Sequence, residues 1–268
     1  MAIGTPNSDV VGRFPDGVKV LHECDDAIID VCFVHGINGD RMITWTAYGQ
    51  TEPWPKTLLP DQISRARILT YGYDAYIASK SVTGSNRLID HATNLVTDLT
   101  ADRACCGASS RPLIFVTHRL GVLVCQDAIQ ISRDNPERHR QDIFLHLKGI
   151  IFMGTPREGS RMTDRAKMPA STLDLFTSTN QSLLLKFKAG DGLAESILLK
   201  LFATAWQQRE AGRLLEVRLL CCDPVSIREK FADMVKFFCG EENGFKTLVG
   251  QLLELKSEIT ERSEPLSG

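Results

Sequence analysis

The chain has 268 residues, with 31 Lys and Arg against 33 Asp and Glu, so its formal charge is −2. That balance excludes a nucleic-acid binder relying on bulk positive charge, and equally an acidic disordered tail. With 43% apolar and 24% charged residues, the composition is that of a globular domain long enough to bury most of its apolar surface.

In chain order, residues 18–21 read as a short strand. Residues 27–34 (AIIDVCFV) are apolar and nearly continuous, the pattern of a strand covered on both faces. Residues 66–71 give a third strand. Residues 85–101 carry Leu88, Ile89, Ala92, Leu95, Val96 and Leu99 at helical spacing, which predicts an amphipathic helix. A strand at 112–117 leads into a helix at 121–131. Strands follow at 147–153 and 214–221, and a helix at 245–259 closes the pattern. Strands separated by helices predict an α/β fold with a mostly parallel central sheet and helices on both faces. Residues 161–212 read as a mostly helical insert, with apolar segments at 182–188 and 193–207, placed where such folds carry a lid or cap. Residues 1–17 read as an N-terminal extension, 18–256 as the domain, and 257–268 as a polar, flexible tail.

No apolar run approaches the roughly 18 residues of a membrane span, and the N-terminus lacks the pattern of a secretory signal. A soluble cytoplasmic protein is therefore expected. The eight cysteines are irregularly spaced and contain no Cys-x-x-Cys. Reduced thiols are expected, mostly packed as small apolar residues. No metal and no cofactor is expected. No Walker A motif is present, so nucleotide binding by that route is not expected.

Two loops carry the functional reading. The first, Val34-His35-Gly36-Ile37-Asn38-Gly39-Asp40, directly follows the buried strand. A His-Gly-x-x-Gly turn there aims backbone N–H groups into a cleft, as in the oxyanion half-site of serine hydrolases. The second, Val116-Thr117-His118-Arg119-Leu120-Gly121-Val122, joins a strand to a helix. That is where a Gly-x-Ser-x-Gly nucleophile elbow lies in such enzymes.

The segments VKVLHE, CFVHGINGDRMITWT, WPKTLLP, ARILTYGYDA, PLIFVTHRLGVLVCQDAI, LKGIIFMGTPREGS and ADMVKFF, between residues 18 and 253, resemble a known family. It is the lipase-like α/β-hydrolase domain of fungal NACHT, NB-ARC and ankyrin-repeat receptors and of serine-active-site-containing proteins. The resemblance implies an α/β-hydrolase fold. It also implies an alternative location, peripheral at a mitochondrial or endoplasmic-reticulum membrane.

The family's catalytic residues do not carry over. Its elbow reads Gly-His-Ser-Leu-Gly-Gly, and here Arg119 stands at the serine. A guanidinium stays protonated and is neither nucleophile nor base. Thr117 and Val122 replace the family's outer glycines, and both are expected to crowd a tight turn. The family histidine falls at Phe231, just before Asp233-Met234-Val235-Lys236-Phe237, and no histidine follows His146. Asp223 is the nearest candidate acid. GTPREGS, residues 154–160, keeps the family frame with Arg157-Glu158 for its usual His-Arg.

The remaining candidates have double readings. His35, with Gly36 and Ile37, is either part of an oxyanion pocket or a structural hydrogen-bonder. His118, with Leu120, is either a displaced base beside the pocket or part of the frame. Cys125 is a replacement nucleophile or an inert buried thiol. Ser160 reads as a turn or cap residue. Arg119 is either an anion-binding group at a helix N-terminus or a drifted side chain turned to solvent or paired with a nearby carboxylate. Trp45, Trp54, Tyr71 and Tyr73 read as scaffold aromatics. Two functions follow. One is a catalytically impaired α/β-hydrolase-like binding or signalling module for a protein partner or a small acyl or anionic ligand. The other is a residual serine-type esterase or lipase.

Overall fold

A computed structural model of the chain describes residues 16–36, 39–74, 84–118, 121–153, 192–220 and 235–263. Six strands form one sheet among these residues: β1 (Gly17–His22), β2 (Ile29–Val34), β3 (Ala66–Gly72), β4 (Leu113–His118), β5 (Leu147–Met153) and β6 (Glu216–Leu220). Their order is β1-β3-β2-β4-β5-β6. β1 runs antiparallel to β3, and every other pair is parallel. Helices are α1 (Trp54–Thr57), α2 (Gly84–Cys105), α3 (Gly121–Arg133), α4 (Asp142–His146), α5 (Gly192–Glu210) and α6 (Asn243–Ser263). This is the expected mostly parallel α/β architecture.

The sheet separates two cores. Alternate side chains Cys32, Val34, Leu69, Tyr71, Phe115, Ile150 and Phe152 pack against α2, α3, α4 and α5. Their neighbours Ile29, Val31, Phe33, Ile68, Ile114, Val116, Ile151 and Met153 pack against α6 and the segment carrying Trp45 and Trp54. All six residues of β2 are buried, which explains why its sequence shows a continuous apolar run and no alternation. Each fully buried Val, Leu, Ile or Phe contributes about 1.5–3 kcal/mol.

The helices follow the predicted apolar stripes, with two differences. On α2, Ala92, Leu95, Val96 and Leu99 are buried, but Ile89 is 50% exposed. Its place at the margin of the stripe turns it away from the sheet. The closing helix runs through Ser263, so residues 257–263 are helical and not flexible tail. Ile259 is buried in the second core, and Glu258 pairs with Arg218 at 2.8 Å. These contacts outweigh the polar composition. Residues 193–207 of the expected insert are helical, within α5. Residues 154–191, including the apolar segment 182–188 and Ser160, lie outside the described residues. No described helix is long and apolar enough to cross a membrane.

A buried ion cluster anchors the amino ends of the central strands. Asp30 is fully buried and accepts from Arg103 at 2.5 Å and Arg111 at 2.8 Å. Arg103 also donates to the carbonyls of Ser109 and Arg111. Beside it, Arg67 joins Glu23 at 3.0 Å and Asp102 at 2.7 Å. Removing one member leaves an uncompensated charge away from water, which costs about 3–5 kcal/mol. Asp30→Ala is therefore expected to lower unfolding free energy by about that amount. Chemical denaturation checks it; a loss under about 1 kcal/mol is incompatible with this role.

Candidate functional site

The candidate site lies at the carboxyl ends of β2 and β4. β2 ends at Val34, and the His35–Gly36 exit is pinned from several directions. His35 is fully buried. Its Nδ1 hydrogen-bonds the Gly36 carbonyl at 2.9 Å, and the Tyr73 backbone N–H donates to its Nε2 at 3.3 Å. The accepting Nε2 fixes a neutral ring with its proton on Nδ1. Tyr73 also stacks on the imidazole at a 4.3 Å centroid distance and donates its hydroxyl to the His35 carbonyl at 2.8 Å. Burial pulls the His35 pKa down, partly opposed by its bond to Gly36. With both nitrogens bonded within the protein, the imidazole acts as a structural clamp.

The turn that follows is equally constrained. The Gly39 N–H donates to the Gly36 carbonyl at 2.9 Å. A Cβ at Gly39 would come within 2.7 Å of Thr44 Oγ1 and 2.8 Å of that carbonyl, so only glycine fits. Asp40 Oδ1 accepts from the backbone N–H groups of Met42 and Ile43 at 2.7 and 2.9 Å. It thereby orders the single helical turn Ile43–Trp45. Thr70 Oγ1 donates to the Arg41 carbonyl at 2.9 Å and ties the loop to β3. Ile37 and Asn38 lie outside the described residues, so the pocket assignment to Gly36 and Ile37 reaches only Gly36 here.

β4 ends at His118 and α3 begins at Gly121. Only Arg119 and Leu120 lie between, and both are outside the described residues. Gly121 makes the close approach that this junction needs. A Cβ there would lie 2.4 Å from the His35 carbonyl oxygen and 2.8 Å from that of Val34. The start of α3 is thus pressed against the exit of β2. Thr117 and Val122, expected to crowd the turn, are both buried. Val122 packs into the first core, and Thr117 Oγ1 has no hydrogen-bond partner among the described residues. The glycine that sterics demand is Gly121, which this chain retains.

His118 is 7% exposed and meets Trp45 edge-on at 6.2 Å between centroids. Trp45 also contacts Phe33 at 5.1 Å and Trp54 at 6.3 Å, and Trp54 reaches Phe237 at 4.9 Å. Trp54 Nε1 donates to the Val235 carbonyl at 2.7 Å. The tryptophans are scaffold, as their sequence context suggests. This cluster places the segment before α6 beneath the candidate site, a long-range contact that no local pattern encodes. Asp223 and Phe231 lie outside the described residues. Cys125 is fully buried on α3, and burial pushes its thiol well up. That environment suits an inert thiol. Among the described residues, no group of three or more His, Cys, Asp or Glu is placed to hold a metal ion.

No family model matches the chain. The curated proteins include relatives at low identity. Protein SERAC1 of Mus musculus is 26% identical over 174 residues, covering 57% of this chain and 26% of its own length. Protein SERAC1 of Danio rerio is 27% identical over 176 residues, with the same coverage. The chain thus spans about a quarter of the length of these relatives. Among solved structures, a thermophilic esterase of Thermogutta terrifontis matches at a TM-score of 0.42 and 12% identity, covering 88% of this chain and 84% of its own. Brefeldin A esterase, a bacterial homologue of human hormone-sensitive lipase, matches at 0.41 and 12%, covering 96% and 80%.

Two outcomes test this geometry. Gly121→Ala is expected to destabilise by about 1–3 kcal/mol or more, because its methyl meets backbone that cannot move aside. Gly250→Ala, on α6 with open space around it, is expected to stabilise by up to about 1 kcal/mol. Denaturation midpoints of the two variants should move in opposite directions. The second outcome concerns pH. A histidine whose folded pKa is depressed contributes fully above its unfolded value of about 6.5. That contribution falls as pH drops below it toward the folded value. His146, lowered mainly by burial, adds to the same trend. His35→Gln should flatten the decline in stability between about pH 6.5 and 5, measured by denaturation at stepped pH.

Proposed function

We propose that the chain is an α/β-hydrolase-like domain that has lost ester chemistry and serves as a binding or signalling module. The observation that carries this reading is the β4–α3 junction. In serine hydrolases of this design the nucleophile sits in the strand-to-helix turn. Between His118 and Gly121 this chain offers only Arg119 and Leu120, and neither has a side chain that attacks an acyl carbon. Supporting it, the histidine at the exit of β2, His35, has both ring nitrogens bonded within the protein. The sequence holds no histidine after His146, so the order Ser, acid, His of such triads has no final member. The family resemblance assigns Phe231 and Asp223 to the positions of base and acid.

The scaffold around the turn favours a retained ligand site. In sequence Arg119 precedes the first residue of α3 by two positions, and a helix N-terminus favours negative charge. The ligand class this supports is a small acyl or other anionic molecule, or an acidic group on a protein partner. Low-identity likeness to Protein SERAC1 over 57% of the chain is consistent with either use. A cytoplasmic location, or a peripheral one at a mitochondrial or endoplasmic-reticulum membrane, belongs to the same proposal.

A second reading, residual esterase or lipase activity, rests on the intact His35–Gly36 exit and the close seating of Gly121. With the nucleophile and base gone, remaining rate enhancement would come from binding and oxyanion contacts alone.

A fluorophosphonate probe on the purified chain separates the two. No labelling is expected, and stoichiometric labelling of any serine would overturn the proposal. The double variant Arg119→Ser with Phe231→His is expected to raise hydrolysis of short-chain p-nitrophenyl esters by about 100-fold or more over the parent. A parent already as active as the double variant would favour the second reading.

A further inference from the structure

The described cysteines depart from the expectation that most thiols are packed as core residues. All six are free, and only Cys32 and Cys125 are buried. Cys105 and Cys106 are consecutive, both exposed, and close the C-terminal end of α2. The other described thiols with solvent access sit beside carboxylates. Cys24 Sγ donates to Asp26 Oδ1 at 3.2 Å. The Cys239 N–H is held by Glu242 Oε1 at 3.0 Å, with Glu241 two residues on. At Cys24, burial and then the Asp26 carboxylate push the thiol pKa up, which disfavours the reactive thiolate.

The surroundings of Cys106 differ. Its Sγ donates to the Arg103 carbonyl at 3.5 Å. Arg103, whose carbonyl it meets, belongs to the ion cluster through its guanidinium. Glu23 and Asp102 balance Arg67, and Asp30 balances Arg103. An exposed thiol thus lies beside a mixed ionic cluster, with a second exposed thiol one residue away to resolve whatever it forms.

We propose that Cys105–Cys106 is a modification site for thiol–disulfide exchange with a low-molecular-weight disulfide. The Cys106 thiolate attacks one sulfur of the disulfide. A new S–S bond forms, the original one breaks, and one small thiolate leaves. Cys105, losing its proton to solvent, then attacks the Cys106 sulfur and expels the second small thiolate. Two protein thiols are oxidised and one external disulfide is reduced to two thiols.

Consecutive Cα atoms lie about 3.8 Å apart, below the usual range of about 4.4–6.8 Å for disulfides. The closed pair is therefore strained and easily reduced, as suits a reversible modification. Closing it pulls both residues from helical geometry. The bonds at risk are Gly107 N–H to the Ala104 carbonyl at 3.1 Å and Ala108 N–H to the Arg103 carbonyl at 2.7 Å. Arg103 is the residue whose guanidinium holds buried Asp30. Oxidation at the surface is thereby coupled to the ion cluster beneath the sheet.

The test uses the full chain carrying Cys221→Ser and Cys222→Ser, incubated with oxidised glutathione, then mapped by peptide mass. The expected product lacks two hydrogens across Cys105 and Cys106 and is reversed by dithiothreitol. Adding Cys105→Ser should instead trap a glutathionyl group on Cys106. The oxidised form should melt lower by about 2–4 °C. Modification of Cys24 or Cys239 ahead of this pair would overturn the proposal. So would absence of the trapped adduct, or a glutathionyl group that persists on the unsubstituted pair without closure.

Discussion

The first residue of α3 lies so close to the carbonyls of Val34 and His35 that no side chain fits between them. This contact at Gly121 couples the two loops that define the candidate site. It sets how near the β4 turn stands to the β2 exit, and with that the separation of any groups the two loops present. The His35 clamp works toward the same end from the other side. Tyr73 reaches over from the end of β3, stacks on the ring, and bonds both its Nε2 and the adjacent carbonyl. Three neighbouring strands are thus tied at one point.

That tie lets the frame of the turn stand whatever side chain the turn carries. Rigidity at the turn comes from backbone sterics at Gly121 and Gly39 and from hydrogen bonds to a neutral imidazole. A triad would draw on this rigidity but does not create it. The residue at position 119 can therefore change its chemistry without dismantling what surrounds it.

Much of this was legible in the sequence. The continuous apolar run of β2 and the stripe of α2 announced a sheet covered on both faces, and the two Gly-containing loops marked the candidate site. Other features were not legible because they depend on contacts distant in sequence. Ile89 shares the spacing of its buried neighbours, and only the packing of α2 shows that it points outward. The polar residues 257–263 looked like a tail because the docking of Ile259 and the pairing of Glu258 with Arg218 have no local signature. Thr117 and Val122 drew attention as lost glycines, while the glycine that sterics require was Gly121. Cysteine composition suggested buried thiols, yet chain position alone could not place Cys105 and Cys106 at a helix end. Arg119, Asp223 and Phe231 remain assignments of sequence.

The ion cluster around Asp30, Arg103 and Arg67 sits at the amino ends of β2 and β3, the rim of the sheet opposite the Gly121 junction. The domain is therefore fastened twice, at separate edges and by unlike forces: electrostatic pairing below, steric interlock above. A perturbation that frees one edge leaves the other gripping the same central strands. Such a molecule has room to exchange the chemistry at its upper rim over evolutionary time, because the lower fastening never depended on it.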